Sequence, residues 1–367
     1  MSTVASLPTI LGRTATVVAV GGVAAAVAAF VLHGLGASHT VVFIISAIAL
    51  ATLALLIGEG TDQLGQRFGP ATTGILQSAL GNLPELFISI FALQAGLVVV
   101  VQTALIGSIL ANTLLVLGLA FLVGGLRHGT QTFKAPAVRT MATLLLLAVA
   151  ALAIPTLATA PGEPDAGHDV DLSVIVSIVL LVVFAASVPF SLQGGRGASS
   201  ELREPSGEPA WSLPLALGVL VVGAAGAALT SDLFVEALKP AMASFGLSEA
   251  FVGLVIVAIA GNAVENVVGI RAAFNDKTDL ATSLILNSSL QVAIALIPAL
   301  VLISLVVGGS ALTLVLSPLL LGAVLLAALL AAVIVFDGES TWLEGLALLG
   351  LYVIIAASVW YGPAIQV

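Results

Sequence analysis

Of 367 residues, 60% are hydrophobic and only 8% charged, with a mean hydropathy of +1.22, where a soluble domain carries about 25% charged residues; lipid is therefore the solvent for most of this chain. The net charge of −9, from 10 Lys and Arg against 19 Asp and Glu, argues against nucleic acid as a partner. The absence of cysteine excludes disulfides, thiolate metal sites and thiol catalysis, and the four His residues are dispersed rather than clustered.

Runs of about 18 or more residues nearly free of charge predict membrane helices, and they are too long for the strands of an outer-membrane barrel. In chain order these helices fall near 15–32, 40–58, 72–95, 97–125, 137–158 and 171–191. A polar linker follows, and five more helices fall near 212–230, 250–273, 279–307, 311–335 and 341–361. The first is read as a membrane helix rather than a signal peptide, despite Arg13 before it and Ala24-Ala25-Ala26 within it, because its apolar stretch is long for a signal core.

Eleven crossings with the N-terminus inside and the C-terminus outside give a consistent charge pattern. Arg13, Arg67, Arg127, Lys134, Arg139, Arg196, Arg203, Arg271 and Lys277 then face the cytoplasm, and of the basic residues only Lys239 lies outside. The outer loop after the fifth helix is instead acidic, with Glu163, Asp165, Asp169 and Asp171. This is the split expected of an inner-membrane protein under the positive-inside rule.

The third and eighth helices share a motif. Gly81-Asn82-Leu83-Pro84-Glu85 stands 180 residues before Gly261-Asn262-Ala263-Val264-Glu265. The same offset places Gly107-Ser108-Ile109-Leu110 opposite Asn287-Ser288-Ser289-Leu290. The expected fold is therefore all-α, with two inverted five-helix repeats at 40–192 and 212–367, an extra N-terminal segment at 1–39 and an acidic cytoplasmic linker at 193–211. An odd number of crossings per repeat inverts the second, which is the plan of secondary transporters with a site near the midplane.

Glu85 and Glu265 are carboxylates inside apolar helices, where each costs about 3 kcal/mol on insertion scales and is functional by default. Asn82 and Asn262 stand three residues before them, on the same helix face. Gly81, Gly261 and Pro84 favour a break that frees backbone carbonyls, Pro84 by removing an N–H and the second motif through Gly261. Ser108 and Asn112, one turn apart, and Asn287, Ser288 and Gln291 add polar atoms from the fourth and ninth helices. Their bland alternative is hydrogen bonding between helices; Thr103 and Ser283 are read as packing residues. All candidate ligands are oxygens, which suits a hard cation such as Ca²⁺ with about 6–8 ligands. Glu59 and Asp62 at the end of the second helix, and Glu236 near the end of the seventh, are candidate entrance residues or solvated helix ends. Arg271 either meets the cytoplasmic interface or pairs with an acid. Glu201, Glu204 and Glu208 in the linker interleave with Arg196 and Arg203 and read as a solvated connection, with regulatory Ca²⁺ binding as the sharper alternative.

On Gly81-Asn82-Leu83-Pro84-Glu85-Leu86, Gly261-Asn262-Ala263-Val264-Glu265, Gly107-Ser108-Ile109-Leu110-Ala111-Asn112, Asn287-Ser288-Ser289-Leu290-Gln291 and Gly58-Glu59, the chain resembles the Ca²⁺/H⁺ antiporter family of the cation/Ca²⁺ exchanger superfamily. The resemblance covers roughly residues 40–361 and implies an eleven-helix inverted-repeat fold with both motif Glu residues in the transport site. It implies transported Ca²⁺ and H⁺, no cofactor and no enzymatic activity. Two positions depart from the family pattern: Asn266 stands where a His usually follows the second Glu, and Leu83-Pro84 where many members have Ala-Thr. Na⁺/Ca²⁺ exchangers also resemble this chain, but usually carry Thr or Ser where Asn82 and Asn262 stand.

The expected activity is export of Ca²⁺ in exchange for H⁺ at the two-glutamate site, with Glu85 and Glu265 also carrying the protons. The alternatives are Na⁺- or K⁺-driven Ca²⁺ exchange, monovalent cation/H⁺ exchange and, ranked below these, a cation channel. A homo-oligomer is compatible with the sequence. No His-Glu-x-x-His motif and no nucleophile beside an embedded base points to an intramembrane enzyme.

Overall fold

The computed structural model describes residues 13–68, 80–193, 211–307 and 311–361. Among the described residues, the regular structure is helical apart from one pair of two-residue strands. Among the described residues, eight helices are long and apolar enough to cross a membrane, or nine if one sharply bent pair is counted as a span. The acidic linker, with Glu201, Glu204, Glu208, Arg196 and Arg203, lies outside the described residues, as does the start of the third predicted helix.

The chain divides into two compact units, one of residues 1–91 and 203–246, the other of 92–202 and 247–367. Each unit draws helices from both sequence halves.

The first unit contains α1 (Arg13–Gly34), α2 (His39–Phe68), most of α3 (Leu83–Gln94) and α7 (Leu213–Phe245). Successive close approaches of Gly60 to Leu220 and Gly223 to Ile57, each at 3.0 Å from a Cβ placed on the glycine, run in opposite chain directions. Phe43 stacks on Phe234 with centroids 4.9 Å apart. These contacts fix α2 and α7 as an antiparallel pair. The Trp211 N–H donates to Gln63 Oε1 (3.2 Å), and the Arg67 guanidinium donates to the Trp211 carbonyl, so the end of α2 anchors the start of α7. Only 11% of the apolar stretch of α1 is buried, which suits a helix facing lipid.

Both α2 and α7 outrun their predicted ends, by ten and fifteen residues. Apolar runs mark the length that crosses lipid, whereas a helix continues past the hydrocarbon while its residues still favour helix. Glu59, Asp62 and Glu236 therefore sit inside helices rather than at their ends.

The second unit contains α4 (Val98–His128), α5 (Ala135–Ala158), α6 (Asp169–Gln193), α8 (Glu249–Gly261), α9 (Ala263–Phe274), α10 (Thr278–Val307), α11 (Pro318–Ile334) and α12 (Trp342–Tyr361). Strands β1 (Gln131–Thr132) and β2 (Glu339–Ser340) pair antiparallel. With 78% of its apolar stretch buried, α4 is the central helix. It approaches α8 backbone to backbone. A Cβ on Gly107 would lie 2.6 Å from Leu254 Cα, and one on Gly253 would collide with Thr103 Oγ1 and the Val100 carbonyl. Farther along α4, a Cβ on Gly118 would lie 2.9 Å from the Gly345 carbonyl of α12. Small residues at membrane helix crossings allow this approach.

The eighth predicted helix is two helices, α8 and α9, bent by 62° at Asn262. Among the described residues, three segments have π-helical turns: 111–116 in α4, 252–257 in α8 and 292–296 in α10. Such turns are frequent at functional sites. Helices α3 and α9 are each 12 residues long and start 180 residues apart, and α4 and α10 also start 180 apart.

The tenth predicted helix starts seven residues late. Residues 311–317 are non-helical, with a bend at Leu314, and Leu312, Leu314 and Leu316 are buried in alternation. Non-helical backbone in lipid needs partners for its polar groups, and side chains supply them. Gln102 Nε2 donates to the Thr313 and Val315 carbonyls (2.9 and 3.3 Å), and Thr156 Oγ1 donates to the Leu314 carbonyl (3.0 Å). The N–H groups of Leu312, Leu314 and Leu316 donate to Ser304, Ser173 and Thr156, each at 2.9 Å. Ser317 then caps α11, with Pro318 in its first turn.

The α4–α8 crossing generates a stability prediction. Gly107→Ala should cost about 1–3 kcal/mol by overpacking, whereas Gly322→Ala, with nothing within 4 Å of its Cβ position, should leave the thermal midpoint of the detergent-solubilised protein unchanged or raised. Equal midpoints for the two variants would refute this close crossing.

Candidate cation site

Glu265 is the third residue of α9, just past the bend, and is buried. A carboxylate in the first turn of a helix meets unsatisfied N–H groups and the positive end of the helix dipole, which favour its negative charge. Residue 262 occupies the N-cap position, where an Asn side chain ordinarily caps the helix. Asn262 makes no such cap. Its amide turns to α4 instead.

There a continuous hydrogen-bonded cluster forms across α4, α8, α9 and α10, all within the second unit. Asn262 Nδ2 donates to Ser108 Oγ (2.9 Å) and to the Ala258 carbonyl (2.7 Å). Asn262 Oδ1 accepts from Asn112 Nδ2 (2.8 Å) and lies 3.2 Å from the Ser108 hydroxyl. Asn112 Nδ2 also donates to Ser288 Oγ (3.1 Å), and the Ser288 hydroxyl is hydrogen-bonded to the Glu265 carboxylate. Asn112 Oδ1 is buried and has no hydrogen-bond partner among the described residues. Such a carbonyl oxygen costs free energy unless something answers it, and it is a ligand type that hard cations take.

Five predicted site residues therefore meet: Ser108, Asn112, Asn262, Glu265 and Ser288. Gly261 is buried at the end of α8, and Gln291 is buried one turn beyond Ser288 on α10. Asn287 is half-buried beside Ser288. The bend falls at Asn262 itself, one residue past the expected Gly261.

In the first unit, Gly81 and Asn82 form a turn after helical Leu80, and both are half-buried. Helix α3 follows, with Glu85 buried in its first turn. The Leu86 N–H donates to the Asn82 carbonyl at 2.9 Å. Glu59 is exposed and accepts from Gln63 Nε2 at 3.2 Å, Asp62 is half-buried, and exposed Glu236 lies 3.8 Å from His33 Nε2. Thr103 bonds carbonyls of its own helix beneath Gly253, in keeping with a packing residue. Arg271 is exposed.

Sequence reasoning missed Gln102, although a lone amide within an apolar run signals a partner across helices. It also read Asn266 only as a departure from a family pattern, whereas Asn266 Nδ2 donates to the Ile259 carbonyl at 3.1 Å, across the bend.

These features define a class: an all-helical, multi-span membrane protein with a buried carboxylate, amide and hydroxyl cluster at a broken helix. The family profile described as sodium/calcium exchanger protein matches residues 38–193 and 215–361. A Ca(2+)/H(+) antiporter of Synechocystis sp. is 36% identical over 355 residues, covering 92% of this chain and 95% of its own. The Ca(2+)/H(+) antiporter ChaA of Bacillus subtilis is 37% identical over 321 residues, covering 86% and 91%. The solved structure of native YfkE superposes with a TM-score of 0.79 at 32% identity, covering 94% of this chain and 99% of that one. The chain belongs to the sodium/calcium exchanger protein family, and within it to the Ca²⁺/H⁺ antiporters.

The cluster predicts non-additive energetics. Asn112→Leu and Asn262→Leu each strand polar partners and should each cost about 1–3 kcal/mol, while the double variant should lose less than the sum. Thermal unfolding of the four proteins in detergent checks this; additive losses would show that the two amides are not coupled.

Proposed function

We propose that the protein exports Ca²⁺ from the cytoplasm in exchange for protons, by alternating access at a site containing Glu85 and Glu265. The observation that carries this reading is Glu265 in the first turn after a helix break, bonded through Ser288 to Asn112 and Asn262. The antiporter names of its relatives supply the ions. Asn82, Asn112, Asn262, Ser108, Asn287, Ser288 and Gln291 are the side-chain oxygens from which a Ca²⁺ ligand set is drawn, with carbonyls at Gly81 and Gly261. Together with the two carboxylates and water they meet the demand of about 6–8 oxygens.

Charge compensation drives the cycle. Two ionised carboxylates without a counter-charge in a low-dielectric site are costly, and either one Ca²⁺ or protons relieve that cost. The pair titrates as a coupled unit. If the protein rocks between its inward and outward states only when neutralised, Ca²⁺ and H⁺ must alternate, and inward proton flow drives Ca²⁺ out.

The arrangement we infer is eleven spans in the inner membrane, N-terminus in and C-terminus out, with inverted repeats at 40–192 and 212–367. The common offset of 180 residues between α3 and α9, and between α4 and α10, supports it. So does the placement of nine of ten basic residues on one side. Exposed Glu59 and Glu236, with Asp62, attract cations toward the two entrances.

Inside-out vesicles with an acidic lumen should accumulate Ca²⁺, and a protonophore should abolish the uptake. Glu85→Gln and Glu265→Gln should each reduce uptake to background. Near-normal transport by either variant would overturn the two-glutamate site, and uptake insensitive to the protonophore would point to a channel or another driving ion.

A further inference from the structure

In an uninterrupted helix the Ile259 carbonyl accepts from the N–H of residue 263. Here the axis turns by 62° at Asn262, and the Ile259 carbonyl instead accepts from the side-chain amide of Asn266, seven residues on, at 3.1 Å. In a straight helix those two positions stand about 10.5 Å apart along the axis, beyond the reach of an Asn amide. The bond therefore exists only when the helix is bent, so it stabilises the bent state selectively. Next to the bend the backbone keeps helical bonds: the Asn262 N–H donates to the Ala258 carbonyl (3.1 Å) and the Asn266 N–H to the Asn262 carbonyl (3.0 Å).

We propose that Asn266 is a positioning residue for the cation site, holding α9 at its angle to α8 and so presenting the neighbouring Glu265 to Ser288. Asn266 itself touches no ion. Straightening the helix would swing Glu265 away from Ser108, Asn112 and Ser288, which are anchored on α4 and α10. It would also return the Ile259 carbonyl to an ordinary helical partner, so the bent and straight forms each satisfy that carbonyl and differ by the Asn266 bond. The consequence for transport rests on the proposed Ca²⁺/H⁺ exchange, whereas the consequence for the bend does not.

The chain has no cysteine, so spin labels can be attached uniquely at Glu249→Cys and Asn275→Cys, at the far ends of α8 and α9. Their backbone positions should be about 33 Å apart in the bent form and about 39 Å apart in a straight one. Double electron–electron resonance should show the short distance in the otherwise unsubstituted protein and in Asn266→Gln, which keeps a donor. Asn266→Leu and Asn266→Asp, which remove the donor, should broaden the distribution toward the longer distance. In the vesicle assay Asn266→Leu should raise the KM for Ca²⁺ about fivefold, the equivalent of one net hydrogen bond, with the maximal rate within about twofold and with recovery in Asn266→Gln. If Asn266→Leu does not fold, Asn266→Asp carries the distance test. An unchanged distance distribution in the donor-less variants, or an unchanged KM, overturns the proposal. Absence of Ca²⁺ transport by the unsubstituted protein would instead sink the functional reading, and the distance measurement would still decide whether Asn266 holds the bend.

Discussion

A carboxylate carried into a helical bundle surrounded by lipid has to be answered by hydrogen bonds, by a proton or by a cation. Glu265 is that group, and much of the second unit is arranged around it. The helix that bears it is interrupted one turn earlier, so the carboxylate stands in a first turn, where backbone N–H groups and the helix dipole favour negative charge. Asn262, at the position that would normally cap this helix, directs its amide to α4, and Ser108, Asn112 and Ser288 complete a chain back to the carboxylate. Asn112 Oδ1 is left over, buried and unpartnered among the described residues.

Packing makes this geometry available. The glycines at 107 and 253 let α4 and α8 cross with their backbones in contact, which brings Ser108 and Asn112 within hydrogen-bond reach of Asn262. The rule that interrupted backbone in lipid must find partners recurs at residues 311–317, where Gln102, Thr156, Ser173 and Ser304 serve a non-helical segment. Gln102 lies on the same helix as Ser108 and Asn112, so the helix carrying two cluster residues is tied at one end to that segment.

Much of the fold was legible because lipid imposes simple rules on sequence. Apolar runs located most of the described helices, and the motif pair pointed to Glu85 and Glu265, each of which is buried in the first turn of a helix. The ends of α2 and α7 were not legible from the same signal, since hydropathy reports the crossing and not the helix that projects beyond it. Residues 311–317 read as helix because apolarity masks periodicity; the alternation of buried Leu312, Leu314 and Leu316 is a strand-like period of two, and Ser317-Pro318 was the available signal for the later helix start. The bend at Asn262 was foreseen one residue early, on the flexibility of Gly261. The hydrogen-bonded meeting of five site residues is a three-dimensional fact that spacing could suggest only within one helix at a time.

In the proposed cycle, protons and Ca²⁺ answer the same carboxylates in turn. Its most direct test is the number of protons released when Ca²⁺ binds the purified protein, obtained by titration calorimetry in buffers of different ionisation enthalpy. Net release should lie between about one and two protons per Ca²⁺ near neutral pH, as expected for a coupled pair of carboxylates, and should be smaller in Glu265→Gln. Ca²⁺ binding with no proton release, equal in both proteins, would contradict it.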